Sequence, residues 1–97
     1  MSDTRTIAAQ DGIRDTRRNR RVLVVLLTGA SNLSGYPVSR LSGVGGVYVV
    51  LARLERAGWA DSAWQEGVPP GQDRRRFYHL TPRGRYGAAQ LLRLEGI

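Results

Sequence analysis

One short amphipathic segment, bracketed by two glycine breaks, constrains this chain more than any other feature. Val47, Val50, Leu51 and Leu54 fall at i, i+3, i+4 and i+7, the spacing that lines one face of a helix. Ser42-Gly43-Val44-Gly45-Gly46 precedes them and Gly58 follows, so the helix can run only over residues 47–57. Arg53 and Arg56 sit in its last turn, where the helix dipole favours cations. Upstream, Ser34 offers an N-cap for a second short helix over residues 36–41, with Pro37 tolerated in its first turn. Two helices joined by a tight glycine turn restrict the fold to a few small α-rich architectures.

The segments that follow narrow the choice. Residues 59–65 and 74–80 read as strands, because Arg76, Tyr78 and Leu80 alternate with Arg75, Phe77 and His79. Between them Val68-Pro69-Pro70-Gly71-Gln72-Asp73 cannot be a strand centre and reads as a loop. The pair therefore forms a hairpin. Thr81-Pro82 is an N-cap followed by proline at the first helical position. A last helix is expected to reach about Glu95, with Tyr86, Ala89 and Leu91 or Leu92 as its buried stripe. Gly84 and Gly87 should weaken its start by about 1 kcal/mol each.

The front of the chain is less determined. Residues 1–15 are polar, with Ile7, Ala8, Ala9 and Ile13 to bury, and read as an arm that is mobile or docks late. Asp15 or Thr16 can cap a helix beginning near Arg17. The run Val22-Leu23-Val24-Val25-Leu26-Leu27 has no clear period; it suits a buried strand or a buried helix, and its three valines lean towards strand. Residues 28–35 are rich in turn formers.

Composition excludes whole classes of function. The 97 residues contain no cysteine and one histidine. That leaves no disulfide framework, thiolate metal site or cysteine nucleophile. The longest apolar run, those six residues, is far short of the roughly 20 that span a bilayer, and no secretory signal opens the chain. A cytoplasmic protein is expected, with no catalytic residues, metal or cofactor. His79 has no partner pattern for general-base work, and the glycine turn lacks the spacing and lysine of a nucleotide cradle.

Charge points to a partner. The net charge is +7, and all fifteen basic residues are arginine. They cluster at Arg17-Arg18-Asn19-Arg20-Arg21 and at Arg74-Arg75-Arg76. The guanidinium fork matches phosphate oxygens, so two such clusters on one small domain indicate a polyanion, double-stranded DNA first. A solvated basic surface from an arginine-biased genome is the plainer account.

The order helix, short helix, turn, helix, hairpin, helix is that of an α+β, mainly α, winged helix-turn-helix with a two-stranded wing and a short C-terminal helix. Two stretches make the resemblance specific. Gly45-Gly46-Val47-Tyr48-Val49-Val50-Leu51-Ala52-Arg53-Leu54-Glu55-Arg56-Ala57-Gly58-Trp59 resembles the recognition helix of the PadR-like regulators. Arg74-Arg75-Arg76-Phe77-Tyr78-His79-Leu80-Thr81-Pro82-Arg83-Gly84 resembles their wing strand and the entry to their last helix. Leu33-Ser34-Gly35-Tyr36 is similar to the opening of their second helix. The resemblance covers roughly residues 20–94 and implies that residues 20–28 are helical. It divides the chain into an arm, 1–15, and a winged helix-turn-helix domain, 16–97.

The resemblance further implies a bacterial transcriptional regulator, a repressor that binds its operator as a homodimer and is localised with the nucleoid. The helix at 43–57 would enter the major groove and the wing at 66–76 would reach the backbone or minor groove. Many relatives release DNA on binding a small molecule, so a small-molecule effector is expected. Residues expected at the DNA are Arg17, Arg18, Arg20, Tyr36, Ser42, Gly43, Gly45, Gly46, Tyr48, Val49, Arg53, Arg74, Arg75 and Arg76. Trp59 is expected to pack where helix meets wing; Trp64 is left open.

Two departures matter. The family dimerises largely through C-terminal helices beyond the wing, whereas here dimerisation is expected through the N-terminal and C-terminal helices. The front of the recognition helix carries glycines in place of the Arg, Asn or Gln that read base edges. Two rivals follow: a winged-helix protein-interaction module, and an architectural or partition-type DNA binder of a plasmid or phage.

Overall fold

The computed structural model describes residues 6–29 and 33–93. Five helices and three strands follow in the order α1 (Ile7–Gln10), α2 (Arg17–Thr28), β1 (Leu33–Ser34), α3 (Gly35–Ser42), α4 (Val47–Arg56), β2 (Ala60–Trp64), β3 (Arg76–Leu80) and α5 (Pro82–Leu92). The valine-rich run is helix, as the resemblance implied. Val22, Leu23, Val25 and Leu26 are buried while Val24 is exposed. Burial against α3 and α5 outweighs the small helix penalty of valine. Thr16 caps this helix by accepting a hydrogen bond from the Asn19 amide.

α4 starts at Val47, not at residue 43. Gly43 (φ 72°) and Gly46 (φ 63°) take left-handed backbone, which is what lets the chain turn sharply between the two helices. The face foreseen from the spacing is the buried one: Val47, Val50, Leu51 and Leu54.

The sheet has one strand more than the expected two. Its order is β1-β3-β2, all antiparallel. β1 is only two residues, pairing Leu33 with Tyr78 and Ser34 with Phe77; it lies in the stretch read as turn. The β2–β3 hairpin is the wing, in a register that sets Ala60 opposite Leu80, Ser62 opposite Tyr78 and Trp64 opposite Arg76. Arg74 and Arg75 fall outside β3, in the wing loop.

In α5 the buried stripe is Gly84, Gly87, Ala88 and Leu91. Tyr86, expected inside, is 58% exposed. The two glycines are the reason. A Cβ on Gly84 would stand 1.9 Å from the Trp59 carbonyl oxygen, and one on Gly87 would stand 2.4 Å from the Trp59 ring. The helix backbone itself lies on Trp59, whose side chain is wholly buried. Thr81 joins the same corner. Its hydroxyl donates to the Gly58 carbonyl (2.6 Å) and accepts from the Gly84 amide (3.0 Å).

The described part of the N-terminal segment is docked on the domain. Ala8 and Ile13 belong to the hydrophobic core, and the Ile7 amide donates to Gln90 Oε1 (2.9 Å). Residues 1–5 lie outside the described residues. Asp11 anchors the segment: its carboxylate accepts from Trp59 Nε1 (2.7 Å) and from Arg83 Nε (2.8 Å) and Nη2 (3.0 Å). These donors hold its carboxyl below the usual value near 3.8. A carboxylate with a depressed native value stabilises the fold above its unfolded pKa, and this is lost as pH falls through the native one. Asp11→Asn should therefore lower stability at pH 7 by about 1–2 kcal/mol and flatten the acid limb below about pH 4. Denaturant titrations at several pH values measure both; an acid limb as steep in the variant as in the parent would remove Asp11 from the account.

Candidate nucleic-acid interface

Burying Val47, Val50, Leu51 and Leu54 turns the opposite face of α4 outward. Tyr48 (60% exposed) and Val49 lie there, with Ala52, Arg53 and Arg56 also exposed. The face is mixed: one phenol, small apolar groups and two guanidinia. The Arg53 guanidinium forms no ion pair or hydrogen bond among the described residues.

Beside α4 stands the wing, and a fixed network sets its angle. Glu55 on α4 accepts from Ser62 Oγ (2.7 Å) and Arg76 Nη2 (3.1 Å), while Arg76 Nε donates to Ser62 Oγ (2.8 Å). The Arg76 guanidinium also lies 5.4 Å from the centre of the Trp64 ring, within cation–π range. Arg76 is thus held by its own fold. Arg74 has one donor on the Gln65 carbonyl (3.0 Å). The Arg75 side chain is exposed and unpaired among the described residues.

Between wing and helix lies a cleft of about 390 Å³, lined by Ser34, Gly35, Tyr48, Trp64 and the three wing arginines. Gly35 lets the Tyr48 ring lie close here: a Cβ on it would stand 2.4 Å from that ring, which would have to swing aside. Tyr36 lies in α3, but its side chain is outside the described residues.

The first arginine cluster divides. Arg18 Nη2 donates to the carbonyls of Gly45 and Gly46, both at 2.8 Å, and Arg21 Nη1 donates to Ser42 O at 3.4 Å. These side chains clamp the glycine turn to α2. Arg20 pairs with Asp15 and donates to the Leu91 carbonyl (3.1 Å), so it lies at the end of α5. Arg20 holds the Asp15 carboxyl below its usual value. Arg17 is exposed and without a partner among the described residues. Together Arg17, Arg18 and Arg21 line a hollow of about 490 Å³ with Gly43, Val44 and Gly45.

Ser42, expected at the DNA, is buried. Its hydroxyl lies 3.4 Å from the Ser39 carbonyl and accepts from the Val44 amide (3.2 Å). It shapes the turn from inside. Gly43, Gly45 and Gly46 are exposed in that turn, ahead of the helix. Trp64 was the feature left unresolved by sequence; its alternation with Ala60 and Ser62 was the available signal.

Among the described residues no cluster of His, Asp or Glu is placed to hold a metal, and no helix is long and apolar enough to cross a membrane.

The likeness to known folds follows the same lines. No curated protein matches the chain in sequence. A solved protein described as a potential transcription factor matches with a TM-score of 0.63 and 25% identity, over 84% of this chain and 79% of that one. A PadR-like transcription factor from Bacteroides fragilis matches with a TM-score of 0.60 and 21% identity, over 90% and 84%. NadR, solved with 4-hydroxyphenylacetate, matches with a TM-score of 0.59 and 22% identity, over 90% of this chain and 58% of NadR. The model of the transcriptional regulator PadR-like family matches residues 26–90. That span includes both helices of the helix-turn-helix, the wing and most of α5, and the chain belongs to the PadR-like family of transcriptional regulators.

Proposed function

We propose that this regulator is a bacterial, cytoplasmic repressor that binds operator DNA as a homodimer. α4 lies in the major groove with Tyr48, Val49 and Arg53 facing the DNA, and Arg74 and Arg75 hold the flanking backbone or minor groove. The observation that carries this reading is the pairing of two exposed wing guanidinia, Arg75 without a partner and Arg74 held by one donor only, with an outward α4 face across one cleft. Cations without protein partners can release counterions from DNA on binding. Arg17, at the start of α2, reaches a neighbouring phosphate, while Arg18 holds the glycine turn beside it. Dimerisation engages the N-terminal segment and α5. A small-molecule effector has room in a hollow of about 370 Å³ between them, lined in part by Ile13, Arg14, Leu91 and Arg93. The ligand held by NadR gives a first compound to try.

A second reading, an architectural binder with little base preference, draws on the outward face of α4, which carries no Asn or Gln. Selection from a random duplex pool, sequencing what is retained, separates the two. An enriched palindrome supports the repressor, binding without enrichment supports the architectural role, and no binding at low salt rejects both.

The wing arginines should behave unequally. Each phosphate contact contributes about 0.9 to the log–log salt slope of duplex affinity. Replacing Arg74 and Arg75 with alanine should lower the slope by about 1.8. Arg76→Ala should leave it unchanged, because that guanidinium is engaged by Glu55. Equal slopes for the double variant and the parent would take the wing off the DNA.

A further inference from the structure

Trp64 is a large exposed side chain that the PadR-like assignment leaves without a purpose. Its ring is 53% exposed, an unfavourable place for so much apolar surface. Its position explains how it comes to be there. In β2 it alternates with Ala60 and Ser62, on the sheet face whose cross-strand partners are Leu80, Tyr78 and Arg76. Ala60, Tyr78 and Leu80 on that face are core residues. Towards the wing tip the core has ended, so the same face looks into the cleft beside α4.

The ring is also held in place. Arg76 lies over it at 5.4 Å, and Arg76 is pinned by Glu55 and Ser62. Tyr48 lines the same cleft, its ring against Gly35. Arg74 and Arg75 line it as well, and no carboxylate does. Two aromatic rings and exposed guanidinia lining one cleft match a sugar–phosphate strand: the rings can cover the apolar deoxyribose, and the guanidinia can take the phosphates.

We propose that Trp64 and Tyr48 form a slot that receives one deoxyribose-phosphate strand of duplex DNA, with Trp64 a direct, sequence-tolerant contact. This rests on the DNA-binding reading above. It adds an apolar contribution to affinity that counterion release does not supply. A ring contact of this kind contributes about 10-fold in affinity, by analogy with aromatic contacts to nucleic acid measured by alanine substitution.

The two tryptophans make the test direct, since Trp59 is wholly buried and Trp64 is not. Acrylamide quenching should report Trp64, and saturating duplex should shield it. In Trp64→Phe the remaining fluorescence should be insensitive to both. By anisotropy on the same duplex, Trp64→Ala should bind about 10-fold more weakly with its salt slope unchanged, its fold checked by circular dichroism and thermal melting. Trp64→Phe should recover most of the loss. If the parent binds duplex while Trp64 stays open to acrylamide and Trp64→Ala binds as tightly as the parent, the slot is not at the DNA. Shielding by a small aromatic anion in place of duplex would overturn it in favour of an effector site. If the parent binds no duplex at any salt, the DNA reading itself fails and the slot falls with it.

Discussion

Gly84→Ala is expected to destabilise the protein by about 3 kcal/mol, although helix propensity alone predicts a gain of about 1 kcal/mol. The new Cβ would stand 1.9 Å from the Trp59 carbonyl oxygen, 2.7 Å from its carbon and 2.9 Å from its Cα. All three are backbone atoms, so no side-chain rotation relieves the conflict. The Trp59 carbonyl is also fixed by the Thr81 amide at 2.9 Å. Either α5 lifts off the end of α4, or the hydrogen bonds at the corner break. Overpacking of this kind commonly costs 1–3 kcal/mol, and more where the backbone must move. Gly45→Ala is the control: a Cβ there meets nothing within 4 Å, so its stability should stay within about 0.5 kcal/mol of the parent. Urea denaturation of the two variants decides the matter. A Gly84→Ala protein more stable than the parent would mean that α5 does not lie on Trp59.

The same corner shows where sequence reasoning carries and where it stops. The spacing of Val47 to Leu54, the Thr81-Pro82 cap and the Pro-Gly loop are local signals, and local hydrogen bonds and packing realise them. The stripe of α5 agrees with the expected one only at Leu91, because much of its burial is carried by Gly84 and Gly87, which have no side chain to register in a hydrophobic pattern. β1 escaped because a two-residue strand exists only through its pairing with β3. The arginines are the hardest case. Their sequence spacing does not distinguish a guanidinium free for phosphate from one spent on the protein. Arg18 bonds carbonyls 27 and 28 residues away, and Arg76 meets Glu55 across 21. Of the wing run, the fold holds Arg76, occupies one donor of Arg74 and leaves Arg75 open. Ile7, Ala8 and Ile13 were the signal that the N-terminal segment docks, but Asp11 bonding Trp59 across 48 residues has no local trace.

Trp59→Ala should cost about 5 kcal/mol, the upper end for removing a buried aromatic residue. Three features push it there. The ring is fully buried, so its whole transfer free energy is lost. The atoms packed on it include Gly87, which has no side chain to move into the void. Its Nε1 is a hydrogen-bond donor to Asp11, and the carboxylate would lose that donor. A domain of this size holds roughly 5–15 kcal/mol in all, so the variant should be about half unfolded at the low end of that range. Trp59→Phe separates bulk from hydrogen bond. It keeps most of the ring and should cost about 2 kcal/mol. Combined with Asp11→Asn, it should show clear coupling in a double-mutant cycle, because the two groups are in contact. If the two costs simply add, the Asp11–Trp59 bond contributes nothing and α1 is held by its apolar residues and Arg83 alone. If Trp59→Ala costs less than about 2 kcal/mol, the junction of α4, the wing and α5 is not built on this ring; the effect expected for Gly84→Ala is independent of that outcome, because it rests on the Trp59 backbone.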